Sequence, residues 1–389
     1  MGTVLDAYIG HAWEAVSNLS RETVGFIPAA YKSTSADKVK FNQEIQIPFG
    51  IVGDAVDTPI GFGVPTAQTN AEPLNYVSLV MNKRKTVPID IDGEDQAGLA
   101  MTGTEADVRT QQFSEAFRKI VNLMEADMSD AAVIGSSRAV GSAGTSPFAT
   151  AGDFTTFAQA QNVLDSNGAS PNDRVMILSS AAKTDLMGKQ GTIFNSNQYG
   201  SSDPRMYGVI NENMYGFAVR SSIKLAKHTA GGGTLYVLAS AVVGADTGDG
   251  DTDMSVGTGT GTILAGDYVT LAGDTNKYIV GTGITAPGTA VINKPGFRQS
   301  AAISTAVTLG STYTPSIGFQ KNAIVLATRT PFYPREGDGA LGREYVTDPV
   351  SGITFEIAMY PGQRKTQIQV SACWGVKVVN PRHVVTMLG

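Results

Sequence analysis

One uninterrupted stretch does most to limit what this chain can become. From Thr104 to Ile134 it reads TEADVRTQQFSEAFRKIVNLMEADMSDAAVI, with no proline and no glycine. Apolar side chains at Phe113, Phe117, Ile120, Met124, Met128 and Ala131 step by three or four residues, so they line one stripe of a helix. Glu105 with Arg109, and Glu115 with Lys119, stand at i,i+4 with the acid first, the better order for a helical ion pair. Thr104 and Asp107 form an imperfect capping box after the break at Gly103, and Gly135 ends the run. At about 1.5 Å per residue the rod is roughly 45 Å long. A typical globular helix has about 11–12 residues. A rod of that length with one narrow stripe suits a flat, elongated plate better than a compact catalytic core. The plainer alternative is a long packed helix in an ordinary α+β domain.

The rest of the chain has the composition of β structure covered by something else. Charged residues are 16% of 389, against a usual ~25%. Glycine is abundant at 44 residues. Neighbouring copies of the same chain are the simplest cover. A net charge of −6 excludes a basic nucleic-acid footprint. Cys373 is the only cysteine, so no disulfide forms within the chain; beside Trp374 in an apolar run it reads as a buried structural thiol. The N-terminus MGTVLDAYIGHAW has neither a basic nor an apolar signal region. The longest apolar run, 235–245, is too short for a bilayer that needs about 20 residues. These features predict a soluble chain, cytoplasmic at synthesis.

Residues 1–24 predict an amphipathic helix with Leu5, Ile9, Ala12, Val16 and Leu19 on one face, lying on its own subunit or a neighbour. Phe41, Ile45, Ile47, Phe49 and Ile51 alternate as one buried strand face, and 76–91 repeats the pattern. Between them lie some twenty residues rich in Gly, Pro and Thr. A loop that long inside a compact domain needs a job outside it. It predicts a projecting hairpin whose Ile60, Phe62 and Val64 rest on another subunit; the plain alternative is a surface loop. Asp90, Asp92, Glu94 and Asp95 follow, with no His, Cys or Lys nearby to complete a site, so a solvated face or the acidic start of a helix is expected.

Past the long helix, 153–168 predicts a helix capped by Asp153 and stopped by Gly168. Strand (174–180), short helix and strand (214–222) then make a small α/β layer. From His228 to about Pro315 the chain is nearly all Gly, Thr, Ala and Val in short strands. TILAGDYVTLAGDTNKYIV (262–280) carries Gly-Asp turns between alternating runs, and the unit predicts a small sandwich or barrel inserted into the α/β layer. Its loop DTGDGDTD (246–253) fails the calcium register, because positions six and twelve counted from Asp249 are Met254 and Thr260. An exposed acidic turn is the default. From Gly318 the strands FQKNAIVLATRTPF, GITFEIAMY and TQIQVSACWGVKVVNPRHVV return to the α/β pattern.

No catalytic motif is present: no G-x-S-x-G, P-loop or H-E-x-x-H. His11, His228 and His383 have no partners at metal spacing, and the Gly-rich runs at 141–144 and 257–262 do not open helices. The chain is expected not to be an enzyme and to need no cofactor or metal.

The order of elements (N-terminal helix, extended hairpin, very long helix, α/β layer, terminal strands) resembles the major capsid protein of tailed phages, a fold shared with encapsulin shells. The inserted unit is similar to that of short-tailed-phage coat proteins carrying a β-barrel in the axial domain. LAGDYVTLAG (264–273), FQKNAIVLATRTPF (319–332) and CWGVKVVNPRHVVTMLG (373–389) carry the likeness. It implies an α+β capsid fold with an N-terminal arm (1–35) and an extended-loop hairpin with flanking strands (36–90). A peripheral domain with the spine helix (91–135), an axial domain (136–227), the inserted β-barrel (228–315) and returning strands (316–389) follow. It implies hexamers and pentamers closing an icosahedral shell around double-stranded DNA, without sequence-specific binding. The implied partners are a scaffolding protein, a portal protein and, in some relatives, a decoration protein. The implied location is the virion capsid, and the host cytoplasm during assembly and procapsid maturation. Asp246, Asp249, Asp251 and Asp253 sit where the family's insertion contacts across capsomers. Some relatives weld the shell through a lysine of the extended loop; residues 44–82 contain none, so a non-covalent shell is expected. The alternative within the fold is an encapsulin-type compartment, and outside it a β-rich adhesin or hydrolase.

Overall fold

The computed structural model describes residues 6–17, 24–49, 75–189, 213–246, 248–334, 337–349 and 351–389. Six helices are described: α1 (Asp6–Ser17), α2 (Phe26–Ala29), α3 (Gly93–Thr102), α4 (Glu105–Ile134), α5 (Thr155–Ser166) and α6 (Ser180–Lys189). The chain is mixed α/β. None of these helices is long and apolar enough to cross a membrane.

The 30 residues of α4 form one unbroken helix. Phe113, Phe117, Ile120, Met124 and Met128 are buried, as their spacing requires. The stripe is wider than predicted: Ala116, Val121, Ala132 and Val133 are buried too, and at the last turn Ala132 replaces Ala131 as the core residue. The helix is covered on more than one side, which widens its apolar face. Three local expectations are corrected. Thr104 makes no side-chain cap to the helix; its hydroxyl pairs with that of Thr102 at 2.9 Å instead. Glu115 pairs with Arg118, at i,i+3 and 2.7 Å, rather than with Lys119. Arg109 is buried and donates to Gln112 at 3.0 Å, not to Glu105.

A six-stranded sheet lies under α4. Its centre is the 14-residue strand Lys365–Val378. One flank pairs with Lys83–Asp92 along that strand's full length. The other flank takes Thr354–Pro361 and then Ile324–Pro331, and strands Gly342–Thr347 and Tyr31–Val39 complete the outer edges. The two-residue period sorts the central strand. Ile368, Val370, Ala372 and Trp374 join the core under α4, while Cys373 joins the opposite face with Val325, Ala327, Leu79 and Met81. α1 packs on α4 within the same chain, with Ala12, Ala15 and Val16 buried. Leu5 and Leu19 lie outside the described residues.

The α/β layer forms a second sheet in the order 138–141, 384–388, 316–320, 174–178, 217–221. Strands Arg174–Leu178 and Phe217–Ser221 are parallel, as a strand–helix–strand unit predicts. α5 and α6 cover it with Phe157, Leu164 and Leu186. Asp153 accepts the Thr155 backbone N–H at 2.9 Å, and Gly168 follows α5 with φ +75.

The inserted unit is a closed barrel. Strands 233–238, 253–263, 288–292, 277–282, 268–271 and 306–309 hydrogen-bond in a ring, each antiparallel to the next. Its own core includes Tyr236, Leu238, Met254, Val256, Tyr278, Val280 and Phe297. The 262–280 hairpin forms as its alternation predicts, with Val269 opposite Tyr278.

Candidate assembly interface

The predicted projecting ribbon begins as a two-stranded antiparallel pair, Glu44–Phe49 with Asn75–Val80, that joins neither large sheet. Phe41 is not part of a buried strand face. It sits in the preceding turn, half exposed, where Asn42 takes φ +62. The ribbon is anchored at its base. Leu79 and Met81 are fully buried on the far face of the central strand, and Lys377 donates to the Ser78 carbonyl at 2.8 Å. Gly375 makes this approach possible: a Cβ there would stand 2.4 Å from the Val80 carbonyl oxygen and 2.7 Å from Leu79 Cδ2. Further out, Tyr76 is 54% exposed, and between the two anchors the Val80 side chain is 38% exposed on the opposite side. Ile60, Phe62 and Val64 lie outside the described residues.

Sequence reasoning missed the residue that ties the N-terminal segment to the rod. Glu125 of α4 is fully buried. Its carboxylate accepts the backbone N–H groups of Gly25 at 2.6 Å, Phe26 at 2.9 Å and Ile27 at 3.1 Å, and the Ser222 hydroxyl at 2.8 Å. Four donors compensate a desolvated negative charge. The signal was there: Val121, Glu125, Met128 and Ala132 continue a helical stripe in which one member is acidic. Asp127, also on α4, accepts from Trp374 Nε1 at 2.8 Å and pairs with Lys83 at 3.1 Å.

The acidic cluster after the ribbon is ordinary surface chemistry. Asp92 caps α3 by accepting the Glu94 N–H, and Asp90 meets Lys365 at 2.8 Å and Gln367 at 2.7 Å.

The barrel joins the α/β layer through a polar seam that the sequence did not reveal, because its members lie far apart in the chain. Strand 277–282 pairs with Arg138 and Ala139. Arg138 NH2 donates to Ser166 at 2.6 Å and to Asn167 Oδ1 at 3.1 Å, and NH1 to Asn276 at 3.2 Å. Asn167 Oδ1 also accepts from Arg298, while its amide donates to the Arg382 carbonyl at 2.7 Å. Burial, and then the neighbouring Arg298 charge, pull Arg138 down to about 10, so it stays cationic at neutral pH.

The acidic turn meets this seam. Asp249 forms an ion pair with Arg382 and lies 3.7 Å from Lys294, and Asp251 accepts the Val243 N–H at 2.7 Å. The Asp246 carbonyl accepts from Arg298 at 2.9 Å. Asp253 begins a barrel strand opposite Val291. Asp251 and Asp253 are exposed at the rim. Two of the four carboxylates, those of Asp249 and Asp251, are thus engaged within the chain, and Asp246 is held through its carbonyl.

His228 and His383 have structural partners. His228 Nε2 meets the buried Asp267 at 2.8 Å; that carboxylate also accepts the N–H groups of Leu264 at 2.7 Å and Gly231 at 3.1 Å. His383 Nδ1 meets Gln320 at 3.1 Å. Burial pushes the Cys373 thiol up, which keeps it unreactive. Among the described residues no three His, Cys, Asp or Glu side chains are placed to hold a metal.

No family model matches this chain, and no curated protein matches it. Solved structures do. A chain from Mycobacterium phage Che8 is 14% identical with a TM-score of 0.44, covering 96% of this chain and 90% of that one. The capsid structure of Cyanophage P-SCSP1u is 13% identical with a TM-score of 0.47, covering 95% and 88%. The virus-like particle from Pyrococcus furiosus is 8% identical with a TM-score of 0.41, covering 98% of each.

Proposed function

We propose that this chain is a shell subunit: a coat protein that closes, in hexamers and pentamers, around the double-stranded DNA of a tailed phage. The observation that carries the reading is the two-stranded ribbon. An isolated hairpin is marginal in water. This one is held at its base by Leu79 and Met81 and leaves Tyr76, beyond the anchor, 54% exposed. Such a ribbon gains its remaining burial from a neighbour. The rod α4 gives the plate stiffness, and the barrel adds a separate closed body beside it.

On this reading 1–35 is the arm, 36–90 the extended loop with its flanking strands, and 91–135 the peripheral part. Residues 136–227 make the axial body, 228–315 is the insertion, and 316–389 return strands to both the axial and the peripheral parts. Ile60, Phe62 and Val64 rest on an adjacent subunit. Asp246 and Asp253 face a neighbour more directly than Asp249 and Asp251, which are already paired at home. The role is structural, without catalysis. A scaffolding protein and a portal protein are the assembly partners, and a decoration protein could be added to the finished shell. Assembly takes place in the host cytoplasm and is followed by procapsid maturation.

The test is electron microscopy of particles formed by the full chain with its scaffolding partner, followed by analysis of their contents. Closed shells holding nuclease-protected DNA support the reading. Closed shells filled with cargo enzyme identify an encapsulin-type compartment instead, and the absence of shells refutes both.

A further inference from the structure

Helix α3 has little support from its own chain. It has ten residues, and none of them is buried. An isolated helix needs about 12–15 residues to persist in water, and Gly98 weakens this one further. Gln96 and Leu99 form its inner side, half-buried, and the Gln96 amide donates to the Tyr8 hydroxyl at 3.3 Å. Its outer side is the stripe Glu94, Ala97, Gly98 and Met101, spaced i, i+3, i+4 and i+7. All four are exposed, Met101 at 90%, and nothing stands within 4 Å of where a Cβ on Gly98 would lie. An acid and a large apolar side chain thus flank two small residues that let another surface come close. Asp95, Glu105 and Asp107 keep this corner of the plate acidic.

A complementary surface lies at the other end of the same plate edge. Strand Lys83–Asp92 is an outer strand of the six-stranded sheet, paired only with the central strand. Lys83 meets Asp127 of α4 at 3.1 Å. From there the strand runs toward the start of α4. Lys85, on the same strand face, therefore comes abreast of the two preceding turns of the helix, which carry Leu123 and Lys119. Asp127 is satisfied by Lys83 and Trp374, and Asp130 lies on the far side of that pair. Lys85 and Lys119 are exposed, and Leu123 is 43% exposed. Among the described residues neither lysine forms an ion pair, and neither does Glu94. Strand positions 85 and 92 stand about 23 Å apart at about 3.3 Å per residue, so the two surfaces do not meet within one copy.

We propose that α3 docks on the Lys85, Leu123 and Lys119 surface of a second copy of this chain, with Glu94 between the two ammonium groups and Met101 against Leu123. Charge complementarity selects the occupant: the chain carries both the acid and the bases, each without an ionic partner at home. The two surfaces differ, so the contact is head-to-tail and repeats around a closed ring. This inference rests on the shell reading and names one of its contacts.

Carbodiimide cross-linking tests it, because the reagent joins a carboxylate to an amine only where they touch. An equal mixture of unlabelled and heavy-isotope-labelled full-length chain, with the scaffolding partner, is treated, digested and read by mass spectrometry. The expected product links Glu94 to Lys85 or Lys119 in peptides of mixed isotope, which come from two copies. In sedimentation velocity Lys85→Glu raises the concentration for half association about tenfold, through like charges brought together, with an unchanged circular dichroism spectrum. Adding Glu94→Lys to that variant restores association, and Met101→Gln alone weakens it. Oligomers that form without the mixed-isotope link, or variants that associate as wild type does, overturn the contact and leave the shell reading standing. A link from Glu94 to the scaffolding partner alone overturns it by making α3 that partner's dock. A chain that stays monomeric throughout overturns both readings.

Discussion

Glu125 shows how much of the assembly of this chain rests on single buried groups. Its carboxylate gathers residues 25–27 and Ser222 onto α4. Glu125→Gln keeps the size but presents an amide donor to N–H groups. It should lower unfolding stability by about 2–3 kcal/mol, the range for hydrogen bonds to a charged group. The midpoint of urea unfolding of the unassembled chain reads this, and an unchanged midpoint contradicts it. His383 makes a pH statement. Burial, with help from Arg382 and Arg174, holds its folded pKa below the usual 6.5. The unfolded chain therefore binds the proton first as pH falls. Stability is full above about pH 6.5 and declines below it until the folded pKa is passed. His383→Gln should flatten that part of the stability–pH curve. Curves that superimpose on wild type would exclude the effect.

At the scale of elements, the sequence was most legible where a period repeats often enough to be unambiguous. The rod, strand 174–178, and the 262–280 hairpin follow from spacing alone. Terminal details were less legible, because Thr104 and Glu115 had competing partners within reach, Thr102 and Arg118. The polar seam could not be read at all: Arg138, Asn167, Arg298 and Arg382 are brought together only by tertiary structure. Gly375 belongs to the same class, since its reason is the strand that crosses it. Gly375→Val should drive the Asn75–Val80 strand off the central sheet. The mutant is expected to keep its far-ultraviolet circular dichroism while Leu79 and Met81 become accessible, seen as faster backbone exchange across 75–81. Unchanged protection there would show that the ribbon is anchored elsewhere.

At the scale of the whole molecule, the barrel is a nearly self-contained body. Most of its core is its own, with Ile279 and Tyr268 reaching into the main core, and the chain enters and leaves it at a paired neck, with His228 N–H to the Tyr313 carbonyl at 2.9 Å and the return bond at 3.2 Å. Replacing 229–312 by a short glycine-serine link should leave a folded remainder. Strand 138–141 then becomes an edge and Arg138 loses Asn276, so unfolding should come a few degrees lower, about 4 °C for each kcal/mol at most in a body of this size. A remainder without a cooperative transition would show that the barrel is integral to the core. On the proposed reading, the rod, ribbon and barrel make a tile whose exposed ribbon is completed by copies of the same chain.

Sedimentation velocity of the purified full-length chain with its scaffolding partner, over a range of concentrations, tests that claim most directly. The account predicts a cooperative jump from subunit or capsomer to one discrete, very large closed species. A chain that stays monomeric at every concentration, with the partner present, would contradict it.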